Sequence, residues 1–262
     1  MTPEDLVGDA GANPSHDKLA MSGESQLRDS LLGLAHLPTG HAGLKETLTH
    51  VAQLAVNAIP GADGAGLTLL EKDRSDTMVS TAPFVAEVDA VQYGLGQGPC
   101  ISAAAGGVTM RSGSLGGDAR WPQFGSTVAR MNVHSALSLP LITADGVVGA
   151  MNVYAHGKQA FDERSVEVGQ TFAVPAAIAV QNAQVLAQTQ RLASQLENAL
   201  STRAVIDQAI GILMSRSGSS ADEAFARLRT LSQSQHQKLT AVAQSVVDQA
   251  VRRARSRHDE RE

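Results

Sequence analysis

The 262-residue chain is 43% hydrophobic and 18% charged, with 21 Lys+Arg against 26 Asp+Glu and one cysteine, Cys100. This is the composition of an ordinary globular protein with room for one large or two modest domains. No stretch reaches the roughly 20 apolar residues of a membrane span and residues 1–26 hold no charged-then-apolar leader, so a cytoplasmic protein is expected; a single thiol excludes an internal disulfide, a multi-thiolate metal site and redox chemistry needing a resolving cysteine.

Residues 1–23, rich in Gly, Asp, Ser and Pro without an apolar period, are expected to form a disordered tail. An N-terminal helical segment, 24–40, follows, in which Leu27, Leu31 and Leu34 share a face and Pro38 stops the helix. A second helical series, Leu44, Leu48, Val51, Leu54, Ala55, Ala58 and Ile59, ends at Pro60-Gly61. Residues 65–70 and 77–80 then predict short strands, with 71–76 as their hairpin connection. Residues 84–105 predict helix, interrupted by Gly94-Leu95-Gly96-Gln97-Gly98-Pro99. An edge strand at 108–111 and a short helix at 123–131 come next. Residues 135–142 and 147–154 form the clearest strand pair, turning at Thr143-Ala144-Asp145-Gly146. Five strands among helices predict an α+β domain.

From Asp162, a suitable N-cap, some fifty residues predict helix, with a kink at Pro175. Ile178, Val185, Leu192, Leu196, Ala199, Ile206, Ile210 and Leu213 follow a 3–4 alternation, interrupted by Asn182, Thr189 and Arg203. That pattern predicts a coiled coil between two copies, hence a homodimer, against the alternative of one long helix packed on its own domain. After Ser217-Gly218, Ser220-Ala221-Asp222-Glu223 is a capping box opening a helix with Ala224, Phe225, Leu228 and Leu231 on its apolar face. A polar break at 232–237 separates it from a last helix carrying Leu239, Val242, Ala243, Val246, Val247, Ala250 and Val251.

Two resemblances follow. Ile206-Asp207-Gln208-Ala209-Ile210-Gly211-Ile212-Leu213-Met214, Ala224-Phe225, Leu228-Arg229, Ser232-Gln233, Lys238-Leu239 and Val242-Ala243 occur in the order of the ANTAR family of transcription antitermination domains, which this segment resembles. The resemblance implies an all-α three-helix module that dimerises and binds tandem RNA hairpins in transcript leaders. Many ANTAR members carry lysine where this chain has Ile210 and asparagine where it has His236. Ala62-Asp63-Gly64-Ala65-Gly66-Leu67, Gly96-Gln97-Gly98-Pro99-Cys100, the strand pair and Phe161-Asp162-Glu163 resemble a GAF domain of the kind paired with ANTAR in actinobacterial regulators. That resemblance implies an antiparallel sheet flanked by helices, a fold that often holds a small-molecule pocket. The expected divisions are a GAF sensor at 41–184, a coiled-coil linker at 185–200, an ANTAR domain at 201–252 and a basic, charged tail at 253–262.

RNA binding needs cations for phosphate and planar groups for unpaired bases. Residues 201–262 hold 10 Lys+Arg against 7 Asp+Glu, on a body holding 11 against 19, so an anionic partner would meet the C-terminal part. The candidate RNA contacts are Arg203, Arg216, Arg227, Arg229, Gln233, His236 and Lys238, each weighed against a solvated helix face or an intrahelical ion pair. With Phe225 taken as apolar-face core, base recognition falls to Arg, Gln and His. The run Arg252-Arg253-Ala254-Arg255-Ser256-Arg257 is either added phosphate attraction or a fraying end.

In the GAF-like part, Cys100, Tyr93 and Trp121 are candidate ligand contacts. Cys100 stands at a helix start, where a thiol's proton affinity can be lowered, although a lone cysteine is more often a small buried hydrophobe. Free methionine sulfoxide reductases share the GAF fold but use several cysteines, so that chemistry is not expected. His134 and His156 are too far apart for a local metal motif. No nucleophile–base pair, Gly-rich phosphate loop or paired carboxylates stand out, so no enzyme activity is expected, and no cofactor is assigned. The competing readings are a DNA-binding factor and a dimerisation module. Against the first, the last helix begins Lys238-Leu239-Thr240 and is mostly apolar, unlike a base-reading helix.

Overall fold

The computed structural model describes residues 14–37, 43–71 and 74–259, and the chain divides into two compact units, Met1–Ala187 and Gln188–Glu262. In the first, α1 (Pro14–Ala35) and α2 (Leu44–Ala58) precede β1 (Gly64–Glu71) and β2 (Arg74–Ser80). Then come α3 (Pro83–Leu95), α4 (Pro99–Gly106), β3 (Met110–Ser112), a 3-10 turn (Leu115–Gly117), α5 (Pro122–Arg130), β4 (Ser135–Thr143) and β5 (Gly146–Ala155). The long helix α6 (Glu163–Ser217) begins in this unit and ends in the second, which adds α7 (Ala221–Gln235) and α8 (Leu239–Asp259).

The five strands form one antiparallel sheet in the order β2-β1-β5-β4-β3. Strand alternation gives it two unlike faces. Leu67 and Leu69 of β1, Leu137, Leu139 and Leu141 of β4, and Met151 and Val153 of β5 point to one face. There they pack with Leu48, Val51 and Ala55 of α2 and with Phe172, Ala176 and Val180 of α6. The other face is small and polar: Gly66 and Thr68, Ser138, and Asn152 beside Tyr154. It is covered by α3, α4 and α5, where Val85, Val88, Phe124 and Val128 pack with Trp121, Ala136 and Tyr154.

The punctuation behaves as residue chemistry requires. Pro83 and Pro99 open α3 and α4 at positions where a missing N–H costs nothing. Gly96 ends α3 in the left-handed region at φ +61°. Asp162 starts α6, its Oδ1 accepting from Ser165 N at 2.8 Å and Ser165 Oγ at 2.9 Å. The backbone amide of Ser165 therefore holds the Asp162 carboxyl below its usual range. Helix α6 continues through Pro175.

Several sequence expectations are corrected. Helix α1 starts at Pro14, within the stretch expected to be disordered; proline is preset for a helix's first turn, and Leu27, Leu31 and Leu34 anchor the helix further on against the α2 side of the core. Residues 1–13, 38–42, 72–73 and 260–262 lie outside the described residues. Strand β2 begins at Arg74, which pairs in register with Glu71, so residues 74–76 of the expected 71–76 connection are strand instead. The edge strand is shifted to Met110–Ser112, leaving Val108 exposed before it. In the second unit α7 extends to Gln235, shortening the expected polar break.

The seam along α6 also divides. Ile178, Val185, Leu192 and Leu196 are each more than half exposed, as is Leu200. Ile206, Ile210 and Leu213 instead pack with Leu228, Leu231, Val242 and Ala243 as the core of the second unit. The 3–4 spacing serves two purposes, and the change falls near Arg203, so the exposed seam is 178–200 rather than 178–213.

Candidate functional site

The second unit is a three-helix module, and its turns are fixed by local chemistry. Ser220 Oγ accepts from Glu223 N at 3.3 Å and Glu223 Oε2 accepts from Ser220 N at 2.9 Å, the expected capping box. At the other end His236 closes α7 in the left-handed region at φ +53°. Asparagine adopts that conformation more readily than most residues, which gives position 236 a backbone role whatever else it touches. Ser232 locks the turn: its Oγ donates to Gln237 O at 2.7 Å and its carbonyl accepts from Gln237 N at 3.1 Å.

All seven expected RNA contacts are exposed, but they do not form one patch. Arg216 lies at the end of α6, about 20 Å along that helix from Arg203. Arg203 meets Asp207 at 3.9 Å, four residues on, an exposed pair of the intrahelical kind. Arg227 and Arg229 flank the buried Leu228 and point to opposite sides of α7. Arg229 and Gln233 are one turn apart on α7, and His236 and Lys238 follow in the α7–α8 turn. Phe225 was expected in the core and is 41% exposed. Ala224 and Leu228 take the buried positions, and Phe225 falls about 100° round the helix from Ala224.

In the first unit, register brings the polar positions together. Asn152 lies between Ser138 on β4 and Gly66 on β1. Its Oδ1 accepts from Ser138 Oγ at 2.9 Å, and its Nδ2 donates to Asp89 Oδ1 at 3.2 Å. Tyr154 donates to the same Asp89 oxygen at 2.6 Å and accepts from Gln92 Nε2 at 3.4 Å. Gln92 Oε1 accepts from Cys100 N at 2.8 Å. The Tyr93 hydroxyl bonds to Thr68 Oγ1 and lies 3.3 Å from Cys100 Sγ. Two glycines make room: a side chain at Gly66 would strike Asp89, and one at Gly98 would strike Gln92. Among the described residues every buried side-chain N or O atom has a hydrogen-bond partner.

This arrangement unites Cys100 with Tyr93 but places Trp121 elsewhere. Trp121 sits at the start of α5, its indole donating to Ser102 Oγ at 2.9 Å, with the Arg120 guanidinium 4.3 Å from its ring centre. Cys100 lies in the first turn of α4 and is buried, as a small buried hydrophobe would be, and burial pushes its thiol pKa up rather than down as a helix start can. Burial likewise raises Tyr93, and burial together with Asp89 raises Tyr154. Gln97, from the same motif, accepts through Oε1 from Gln123 N at 3.1 Å and caps α5.

His156 Nδ1 is 2.6 Å from Asn132 O and its ring centre is 4.6 Å from that of Phe84. Among the described residues no group of three His, Cys, Asp or Glu side chains is placed to hold a metal, and no helix is long and apolar enough to cross a membrane. The sequence reading missed Thr68, Asp89, Gln92, Ser138 and Asn152. For Thr68, Ser138 and Asn152 the one signal was alternation, small or polar residues at every second position of three adjacent strands; Asp89 and Gln92 lie on α3 and had no such signal.

Residues 41–181 match the GAF domain family and residues 194–247 match the ANTAR domain. No curated protein matches the chain. Among solved structures, the GAF domain of a Coxiella burnetii phosphoenolpyruvate-protein phosphotransferase is 18% identical, the match covering 63% of this chain and 96% of that one at a TM-score of 0.49. The free methionine-R-sulfoxide reductase of Neisseria meningitidis is 16% identical, covering 68% and 97% at a TM-score of 0.48. A five-stranded antiparallel sheet with flanking helices, a long helix and a terminal three-helix module accord with the two family matches, and the chain belongs to the GAF domain family and carries a C-terminal ANTAR domain.

Proposed function

We propose that this protein is a signal-responsive, RNA-binding transcription antitermination regulator that acts as a homodimer. The observation that carries the reading is the ANTAR match over residues 194–247, on a three-helix unit whose cations Arg216, Arg227, Arg229 and Lys238 are all exposed. These residues, with Arg203, Gln233 and His236, contact paired RNA hairpins, cations on phosphate and planar groups on unpaired bases. The exposed row Ile178, Val185, Leu192 and Leu196 is the seam between two copies, because apolar side chains in 3–4 register gain by leaving water together. The dimer holds two ANTAR units at a spacing that suits tandem hairpins. The input is a small molecule or redox signal received by the GAF domain, for which Tyr93 and Cys100 on the polar sheet face, and separately Trp121 at the start of α5, are the candidate contacts. It acts by binding two states of the dimer unequally.

The test is binding of purified protein to an RNA with two short stem-loops, against the variant Arg227→Glu/Arg229→Glu/Lys238→Glu. Wild type should bind with an affinity that falls as salt rises, and the variant should bind far more weakly. Indistinguishable, salt-insensitive binding by the two proteins contradicts the reading.

A further inference from the structure

Gly211 lies within α6, where glycine is less favourable than alanine because it loses more backbone freedom. Neither usual reason for a glycine applies. Gly211 is not among the positive-φ residues, and a Cβ built on it would meet nothing within 4 Å. The fold itself therefore has room for a side chain there. What remains is a close approach by something outside the chain.

A groove of about 560 Å³ surrounds the position, between α6 and α8. Gly211, Ser215 and Ala250 make it shallow-walled, Ile212 and Val247 give it apolar sides, and Gln208 and Arg216 offer hydrogen bonds and charge. No carboxylate lines it. The nearest along the helices are engaged: Asp207 faces Arg203, and Asp248 accepts from Gln244 Nε2 at 2.8 Å. Arg216 is exposed in the last turn of α6, and Val251 and Arg255, both exposed, continue the Val247 strip of α8 at successive turns.

From this geometry we propose that the α6–α8 groove seats an RNA strand, its sugar-phosphate backbone passing over Gly211 with a phosphate held by Arg216. The inference rests on the RNA-binding reading and names where on the ANTAR unit the strand lies. A bare glycine lets a polymer backbone come close, the small apolar walls fit sugar and base edges, and the cationic rim suits an anion. A second copy of the chain is a poorer occupant, since a two-fold contact through the groove would set Arg216 against its own counterpart.

The experiment titrates full-length protein with the two-stem-loop RNA at several salt concentrations for wild type, Gly211→Ala, Gly211→Leu and Arg216→Gln, with thermal unfolding and sedimentation of each. Both Gly211 substitutions should keep or raise the melting temperature and leave sedimentation unchanged. RNA affinity should nevertheless fall about tenfold for Ala and further for Leu. Arg216→Gln should weaken binding and flatten the dependence of log K on log salt by about 0.7 to 0.9. Wild-type affinity in Gly211→Leu overturns the proposal and leaves RNA binding elsewhere on the unit standing. Altered sedimentation of Gly211→Leu overturns it in favour of a contact between copies. Failure of wild type to bind the RNA at all removes the functional reading, and this proposal with it.

Discussion

Asp89 stands at the centre of the polar sheet face, accepting from Tyr154 and Asn152 through one carboxyl oxygen while the other lies against Gly66. Replacing it with alanine leaves the buried Tyr154 hydroxyl and Asn152 amide short of their acceptor, so Asp89→Ala should destabilise the GAF unit by about 2 kcal/mol or more in denaturant unfolding. Cys100 is sealed beneath the same network with its proton affinity raised by burial, so native protein should resist alkylation at pH 8 and react promptly once unfolded. Rapid alkylation of the folded protein contradicts that placement. Asp118 behaves oppositely. Hydrogen bonds from Arg120 hold its carboxyl at about 2, so the stability it contributes is present above its unfolded value near 4 and is lost as pH falls through 2. Asp118→Asn should reduce the loss of stability between pH 4 and 2, by a modest amount because Arg120 is half exposed.

Individual elements show which parts of the structure can be read in sequence. Strands β4 and β5 were legible because apolar residues alternate around a turn with few alternatives, and the α7 cap because Ser220 and Glu223 have the spacing that the reciprocal bonds require. The polar network was not. Thr68, Ser138 and Asn152 alternate with leucines and methionine just as solvent-facing residues would, and only the packing of α3 and α4 over them makes that face an interior. Phe225 misled for a related reason: it neighbours Ala224 in sequence, but which shoulder of α7 is buried depends on how three helices meet. The long seam could not be divided from spacing alone, because a coiled coil and a three-helix core ask for the same period. Two outcomes follow at this scale. Ser220→Ala should cost about 1 kcal/mol through loss of the cap, read in denaturant unfolding followed by far-UV dichroism. Leu196→Glu puts a charge in the exposed seam and should shift the protein to monomer in sedimentation, with its helix content kept; a dimer that persists places the interface elsewhere.

For the whole molecule the account joins three separate pieces: a GAF unit with one apolar and one polar sheet face, an exposed apolar row along α6, and a three-helix unit with cations at both ends. The proposed function connects them through a homodimer: two copies along the seam would present two ANTAR units, and a transcript with two hairpins would then engage the second at high effective concentration. The most direct measurement compares the affinity of the full-length protein for an RNA holding two stem-loops with that for each stem-loop alone, at one fixed salt concentration. The account predicts that the paired RNA binds at least about a hundredfold more tightly than either single one. Equal affinity for paired and single stem-loops, or binding to neither, contradicts it.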